Sequence, residues 1–293
     1  MNIIDGKAIA KELRDKIAIK VAHLKEKQNI TPGLEVVLVG KDPASLVYVR
    51  NKIKFARAAG MNSFLTELPH DVSERNLLAK INTLNNDPKL HGILIQLPLP
   101  PHINVNTVIN NVNPLKDVDG FTVVNIGKLV TNQKDGFIPC TPLGCLRLIK
   151  TIKPTLSGLH AVIIGRSNIA GKPIAALLLN EDCTITITHS RTRDIKTEVK
   201  RGDIVIVAVG IANFVKRDWI KQGAIVIDVG VNYVENKMVG DVDFEEVKQV
   251  ASAITPVPGG VGPMTIASLL ENTLKATLIH RGLDFEKELQ DLE

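Results

Sequence analysis

Aromatic side chains are scarce in this chain of 293 residues: one Trp, two Tyr and seven Phe, 3% of the total. Its cores must therefore be aliphatic. Val, Ile, Leu and Ala fill every stretch with strand character, as buried parallel sheets require. No segment interleaves aromatics with a run of Lys and Arg, which argues against a nucleic-acid partner. Cysteine is equally sparse. Cys140, Cys145 and Cys183 are odd in number, and their spacing suits neither a disulfide framework nor a zinc site. They are expected to be reduced, buried thiols in a cytoplasmic protein. No apolar run is long enough to span a bilayer. The start, Met-Asn-Ile-Ile-Asp-Gly-Lys, shows neither a signal core nor an Arg/Ser-rich transit segment. A strong excess of one charge is also lacking, since 36 basic against 31 acidic residues leave +5. That balance suits a small anionic ligand such as a phosphorylated cofactor, and it equally carries no message.

What the chain does contain is alternation. Residues 6–28 form an amphipathic helix, with Ile9, Leu13, Ile17 and Val21 at helical spacing. Strands are expected at 34–39, 61–68 and 92–97, the last stopped by Pro98, Pro100 and Pro101. Helices are expected at 43–59 and, opened by a capping box at Asp71-Val-Ser-Glu74, up to Asn85. A loop-rich stretch follows, and a helix over 141–152 bridges to the second half. There, strands are expected at 160–164, 184–188, 203–209 and 224–229. Helices are expected through Leu179, from Asp243 and over 264–280, the last preceded by a rigid loop at 256–263. Strict β/α alternation in both halves predicts two α/β domains with mostly parallel sheets. The length is ample for two such cores. Ligands of these folds sit at the carboxyl ends of strands.

Two segments stand at such positions. In the helix over 43–59, Asp42 is the expected N-cap, Pro43 the first helical residue and Gly60 the stop. Tyr48 and Lys52 then lie four residues apart on one face. A phenol can stack on a flat heterocycle, and an amine beside it can exchange protons with that heterocycle. Such a pair is more often a half-buried ring and a solvated charge. Its place directly after a predicted strand favours the catalytic reading.

In the second half, Ile163-Ile-Gly165-Arg-Ser-Asn-Ile-Ala-Gly171 reads as strand, glycine turn and helix start. Such a turn offers backbone N–H groups and a helix dipole to a pyrophosphate. It departs from G-x-G-x-x-G, because Ser167 replaces the second glycine and the last glycine comes one residue late. A plain tight βα turn is the alternative. An NAD-specific site needs an acid at the end of the next strand, but Thr188-His-Ser-Arg-Thr-Arg193 has none before Asp194. Ser190 with Arg166 or Arg191 can hold a 2′-phosphate instead, so NADP is the expected cofactor. Arg193 is expected to be a solvated loop charge.

Together these pieces resemble one family, the bifunctional methylenetetrahydrofolate dehydrogenase/methenyltetrahydrofolate cyclohydrolases. The matching stretches are 39–54, 92–98, 114–120, 137–144, 165–173, 225–232 and 255–265, in order along nearly the whole chain. Tyr-x-x-x-Lys, Gln-Leu-Pro-Leu-Pro, Lys-Asp-Val-Asp-Gly and Pro-Gly-Gly-Val-Gly-Pro-Met-Thr carry the likeness. Gly-Arg-Ser followed by Gly-x-Pro resembles this family's own glycine turn. The resemblance implies a catalytic folate-binding domain over 1–140, closed by the C-terminal helix in 264–293, a Rossmann-like NADP-binding domain over 141–263, and a cleft between them. It implies NADP-dependent oxidation of 5,10-methylenetetrahydrofolate to the methenyl cation, then hydrolysis to 10-formyltetrahydrofolate. The cation is already electrophilic, so no metal is expected, and what remains is positioning and proton management.

Carried over residue by residue, Lys52 resembles the general acid/base of the hydrolytic step, a role that needs a dry site or a nearby cation. Tyr48 would pack on the folate ring system and help position Lys52. Gln96 would hydrogen-bond the lysine, and Asp119 would pair with the amino and ring N–H groups of the pterin. Asp117 is expected to be a turn former. Leu97, Pro258, Gly259, Gly260, Val261 and Gly262 would line the substrate site. Gly165, Arg166, Ser167, Ser190, Arg191 and Val231 would hold NADP, with Val231 near the nicotinamide end. Cys140, at the crossing between domains, is read as packing. A reduced folate, polyglutamylated, is the implied substrate and a homodimer the implied assembly. The rivals are a shikimate dehydrogenase-like enzyme, a member retaining one activity only, and a dinucleotide sensor without chemistry.

Overall fold

The computed structural model describes residues 2–235 and 237–289. In chain order the first elements are β1 (Asn2–Ile3), α1 (Gly6–Gln28), β2 (Gly33–Val39), α2 (Pro43–Ala58), β3 (Asn62–Leu68), α3 (Glu74–Asn85), β4 (Gly92–Ile95), α4 (Val105–Asn110), α5 (Val123–Val130) and α6 (Cys140–Ile152). The second series is β5 (His160–Ile164), α7 (Gly171–Leu179), β6 (Thr184–Thr188), α8 (Ile195–Val199), β7 (Ile204–Val207), β8 (Ile225–Asp228), β9 (Asn232–Val234), β10 (Lys237–Val239), α9 (Phe244–Val247), β11 (Ala253–Ile254), α10 (Val261–His280) and α11 (Phe285–Leu289). The chain folds into two compact units of α/β architecture.

Among the described residues, one unit comprises Lys11–Lys128, Gln133–Cys140 and 266–289. Its sheet has the order β3-β2-β4, all parallel, with Val37 opposite Ile95 and Val39 opposite Leu68. Central β2 is buried at all seven positions, so it carries a continuous apolar run broken only by Glu35. One sheet face packs Val37, Val39, Ile93 and Ile95 against Leu77, Ile81 and Leu84 of α3 and Val108 of α4. Asp42 caps α2 by accepting from Ser45 N at 2.8 Å, and Gly60 turns the chain with φ +82°. The carboxyl ends of the neighbouring strands β2 and β4 thus lead into the Tyr48–Lys52 helix and into Gln96.

The expected capping box at Asp71–Glu74 does not form. Ser73 is the N-cap of α3, accepting from Asn76 N, and this makes Glu74 the first helical residue rather than the third. Its carboxylate instead accepts from Asn104 N at 2.7 Å and pins the start of α4. The stretch expected to be loop contains two short helices, α4 and α5. The β-branched residues of α5 and the glycine at its centre hide its helical character, because both lower intrinsic propensity.

The other unit comprises residues 2–10, Leu129–Asn132 and Thr141–Thr265. Its six strands run in the order β1-β11-β8-β7-β5-β6, all parallel. Val162, Ile164, Val205, Val207 and Val226 form the centre of its core, covered by Val199, Val215, Val247 and Ile254. The two-residue strands β1 and β11 are too short for periodicity to reveal. Strands β9 and β10 make an antiparallel hairpin that the sequence reading also missed. Helix α10 begins at Val261, three residues before the expected start. Pro263 is tolerated there because the first turn of a helix has N–H groups without intrahelical partners anyway.

All three cysteines are buried and unpaired. Burial pushes the Cys183 thiol up to about 11. Among the described residues no helix is long and apolar enough to cross a membrane, and no group of three or more His, Cys, Asp or Glu could hold a metal ion.

Candidate active site

Lys52 is not the solvated charge that a lysine at this spacing usually is. It is 8% exposed, and its Nζ donates to Gln96 Oε1 at 3.0 Å. Gln96 is oriented in turn, with its Nε2 donating to Leu97 O at 2.7 Å, so its carbonyl oxygen is turned toward the lysine. The Leu97–Pro98 peptide is cis. Tyr48, half-buried, lies one helical turn before Lys52. A helix face after β2 and the first residue past β4 therefore assemble three of the residues singled out above.

Asp119 joins them electrostatically. Burial pushes its carboxyl above the ordinary 3.8, the positive charge of Lys52 opposes that rise, and the nearby charge of Asp117 adds to it. The loop that carries Asp119 is wound around Asp117, which is 4% exposed. The Asp117 carboxylate accepts from Gly120 N (3.0 Å), Phe121 N (3.3 Å), Thr122 N (2.8 Å) and Asn125 Nδ2 (2.9 Å). Asn125 also donates to Pro114 O and accepts from Phe137 N. Gly120 sits at φ +75°, and a Cβ there would lie 2.8 Å from Phe137 O. Asp117 is thus a turn former, as expected, and also the hub of the loop. Asn125 was not anticipated by the sequence reading. Cys140 packs behind the loop, its Sγ donating to Val118 O at 3.3 Å. Burial, and after it Asp119, raises its thiol well above the ordinary range. A thiol so held is a poor nucleophile.

In the other unit, Gly165 ends β5 with φ +121°, and a Cβ there would come within 2.3 Å of Ala208 O. A Cβ on Gly171 would meet Gly165 O at 2.2 Å. Only glycines let this turn fold so tightly against the end of β7. The donors at the start of α7 are not presented outward as expected. Ser167 Oγ accepts from Ala170 N and Gly171 N, Lys172 N donates to Ser167 O, and Pro173 has no N–H. With both acceptor sites of the hydroxyl filled, its proton is left to donate. An anion at this turn would thus be met by the Ser167 hydroxyl and the exposed Arg166 side chain, with the helix dipole behind them.

The turn after β6 exposes Ser190 and Arg191. It is held by His189 N to Thr192 Oγ1 at 3.0 Å and by Arg191 N to His189 Nδ1 at 3.2 Å. Asp194, the first acid past the strand, is committed to capping α8 through Thr197 N. Val231, 41% exposed, stands just past β8. In the loop before α10, Gly259 has φ +107°, and a Cβ on Gly260 would lie 2.6 Å from Pro256 O. Both glycines therefore serve the loop's own packing. Val261 is buried at 4%, whereas Pro258 and Gly262 face outward, with open space at the missing Cβ of Gly262. The buried acids Asp228 and Asp241, at 3% and 0% exposure, were also missed. An acid closing the buried apolar run of β8 was the available signal.

The residues present suit a dinucleotide phosphate: a tight glycine turn, outward-facing serine and arginine side chains, and no free acid at the second strand end. Family models agree. Residues 4–119 match the catalytic domain of tetrahydrofolate dehydrogenase/cyclohydrolase, and residues 139–281 match its NAD(P)-binding domain. The bifunctional protein FolD of Ehrlichia ruminantium is 56% identical over 288 residues, covering 97% of this chain and 96% of that protein. The crystal structure of the bifunctional enzyme FolD from Campylobacter jejuni superimposes with a TM-score of 0.93 at 47% identity, covering 94% of this chain and 98% of that one. The Trypanosoma brucei enzyme, solved with NADP and an inhibitor, gives a TM-score of 0.90 at 40% identity, covering 94% and 96%. Residues, fold and relatives converge on one assignment: the chain belongs to the tetrahydrofolate dehydrogenase/cyclohydrolase family.

Proposed function

We propose that this chain oxidises 5,10-methylenetetrahydrofolate with NADP⁺ and hydrolyses the resulting methenyl cation to 10-formyltetrahydrofolate. The observation that carries the hydrolytic half is the buried Lys52 Nζ, held 3.0 Å from Gln96 Oε1 and close enough to Asp119 to act on its charge. When bound, NADP⁺ accepts the hydride from the one-carbon bridge. The remaining work belongs to side chains. Tyr48 and Leu97 pack on the flat ring system. Asp119 accepts from the amino and ring N–H groups of the pterin, and desolvation strengthens that pairing. In hydrolysis the water oxygen bonds to the bridge carbon as the neutral Lys52 amine takes one of its protons. The ammonium so formed gives that proton to the ring nitrogen that leaves as the carbon–nitrogen bond breaks, and the remaining hydroxyl proton goes to solvent as the formyl C=O forms. Gln96 holds Lys52 in line.

Gly165, Arg166, Ser167, Ser190 and Arg191 hold the dinucleotide, with the 2′-phosphate between Ser190 and an arginine, and Val231 meets the nicotinamide end. Pro258, Gly259, Gly260 and Gly262 border the folate, and Val261 supports them from the core. The folate-binding part is assigned to 1–140 with 264–293, and the NADP-binding part to 141–263. The substrate is a reduced folate carrying a polyglutamate tail, and the setting is the cytoplasm. The assembly is a homodimer, for which the uncharged strand β6, Thr-Ile-Thr-Ile-Thr, paired with β5 on one side and forming the edge of the described sheet on the other, is the candidate edge. A shikimate dehydrogenase-like enzyme is not the favoured reading, because the matched family models cover both halves.

The test is one reaction followed by absorbance, with NADPH and the methenyl intermediate recorded together. The native protein should form NADPH while methenyl stays low. Lys52→Met should lose ring opening by about 10²–10⁴-fold, the usual worth of a positioned acid/base, while NADP binding survives. Undiminished ring opening by that variant would refute the role of Lys52. No NADPH from the native protein would refute the dehydrogenase.

A further inference from the structure

Past the ends of β7 and β8 lies an arrangement that the reaction described above does not use. Three successive backbone N–H groups, those of Val209, Gly210 and Ile211, converge on one carboxylate. Asp241 Oδ2 accepts from Val209 N at 2.7 Å and from Gly210 N at 2.9 Å, and Oδ1 accepts from Ile211 N at 2.9 Å. Consecutive N–H groups curled in this way form an anion-binding nest, and here the anion is the chain's own fully buried side chain. The same Oδ1 accepts from Asn232 Nδ2 at 2.9 Å, which ties in the segment after β8 that carries Val231.

Asp241 is held in its turn. Asp228 Oδ1 accepts from Asp241 N at 2.9 Å and Gly230 N at 3.0 Å, and Oδ2 accepts from Val242 N at 2.9 Å. The glycines make room reciprocally. A Cβ on Gly230 would lie 2.1 Å from Asp241 Oδ1, and one on Gly240 would lie 1.8 Å from Asp228 Oδ2. Two carboxylates, two glycines and seven donors therefore lock together two strand-end segments whose apolar side chains, Ile211 (52% exposed) and Val231 (41% exposed), face outward. The Ala208 carbonyl, at the head of the first segment, is the atom that Gly165 must clear.

We propose that Asp241 is a positioning residue for the dinucleotide. As an internal anion it ties the segment after β7, through Asn232, to the segment after β8, which carries Val231 at the nicotinamide end of NADP. This builds on the placement of NADP at these strand ends given above. Neutral Asn in its place keeps the shape but has one acceptor atom. Whichever way the amide turns, two N–H donors face an NH₂ group, so the nest opens.

The experiment uses full-length Asp241→Asn and three readouts. Calorimetric titration with NADP⁺ should show at least a tenfold weaker Kd. Hydrogen exchange of the amides at 209–211 should accelerate. Hydrolysis of methenyltetrahydrofolate, which needs no dinucleotide, should stay within about twofold. A Kd within twofold of the native protein overturns the proposal, as does a parallel loss of hydrolysis, which would mark a general scaffold role. Should Asp241→Asn not fold, Asn232→Ala cuts only the tie to the second segment and should weaken NADP⁺ about threefold, and an unchanged Kd there overturns the proposal equally. Failure of the native protein to bind NADP⁺ would instead tell against the proposed function.

Discussion

Two buried groups should give this protein opposing pH dependences that single substitutions separate. His91, 3% exposed, directly precedes β4, and its Nδ1 accepts from Gly33 N at 3.0 Å. Burial and the neighbouring His280, Arg281 and Lys116 hold its pKa down at about 4 against an ordinary 6.5. Protonation would also turn the accepting nitrogen into a donor facing Gly33 N–H. Between pH 6.5 and 4 the unfolded chain therefore binds the proton and the folded one does not. Stability is fully present above 6.5 and is lost as pH falls toward 4, by roughly 3 kcal/mol at about 1.4 kcal/mol per unit. Asp228 has the reverse sign. Burial pushes it from 3.8 up to about 7, against the pull of its backbone N–H donors and with some help from Asp241. Its contribution is present below about 4 and is lost as pH rises to 7, by roughly 4 kcal/mol. The two slopes oppose one another in the native chain. In His91→Gln, whose amide oxygen can keep the bond from Gly33, the His91 slope is removed, so stability should fall more steeply with rising pH, or rise less, than in the native protein. In Asp228→Asn stability should fall as pH drops. Urea unfolding followed by circular dichroism from about pH 4.5 to 7.5 measures both. The lone Trp219 packs on the core of the unit that contains Asp228, so its fluorescence reports that unit. If the stability difference between the native protein and His91→Gln is the same at both ends of that range, the account of His91 is wrong.

Three further substitutions follow from the site. Ser190→Asp should weaken NADP⁺ by tenfold or more and leave NAD⁺ nearly unchanged, because it places a carboxylate against the 2′-phosphate; equal effects in paired titrations would refute the reading of that turn. Gly165→Ala forces a Cβ to 2.3 Å from Ala208 O at φ +121°, which should cost about 1–3 kcal/mol in denaturant unfolding and abolish NADP⁺ binding before it affects ring opening. Asp117→Asn removes the anion at the centre of four donors, for an expected loss of roughly 2–4 kcal/mol. It also removes a charge that raises Asp119, so the acid limb of the folate KM profile should move to lower pH. An unmoved limb would show that the two acids are electrically independent.

The placement of Tyr48, Lys52 and Gln96 was legible because its signals are local. Asp42, Pro43 and Gly60 bound a helix, and four residues of spacing put Tyr48 and Lys52 on one face. A proline-stopped apolar run marks the strand end that carries Gln96. What spacing could not supply was burial: only the fold shows that the Lys52 ammonium meets Gln96 rather than water. The misreadings share a different cause. Asp71 and Ser73 are both residue types that cap helices; Ser73 caps α3, and Glu74, left as its first residue, makes a contact thirty residues away at Asn104 that spacing does not reveal. The donors at the start of α7 looked available to a ligand because the sequence does not reveal that the Ser167 side chain curls back to take them. Asp117, Asp228 and Asp241 were hard to weigh for the same reason, since nearly all their partners are backbone N–H groups, which every residue but proline possesses and none advertises. Such acids differ from catalytic ones in what they exchange. In the proposed reaction Asp119 would pair with the pterin and exchange partners during turnover, whereas Asp241 is saturated by four fixed donors and would act on the reaction only through the segments it holds still. Substitution at Asp119 should therefore be felt in folate recognition and its pH dependence, and substitution at Asp241 in dinucleotide affinity and amide exchange.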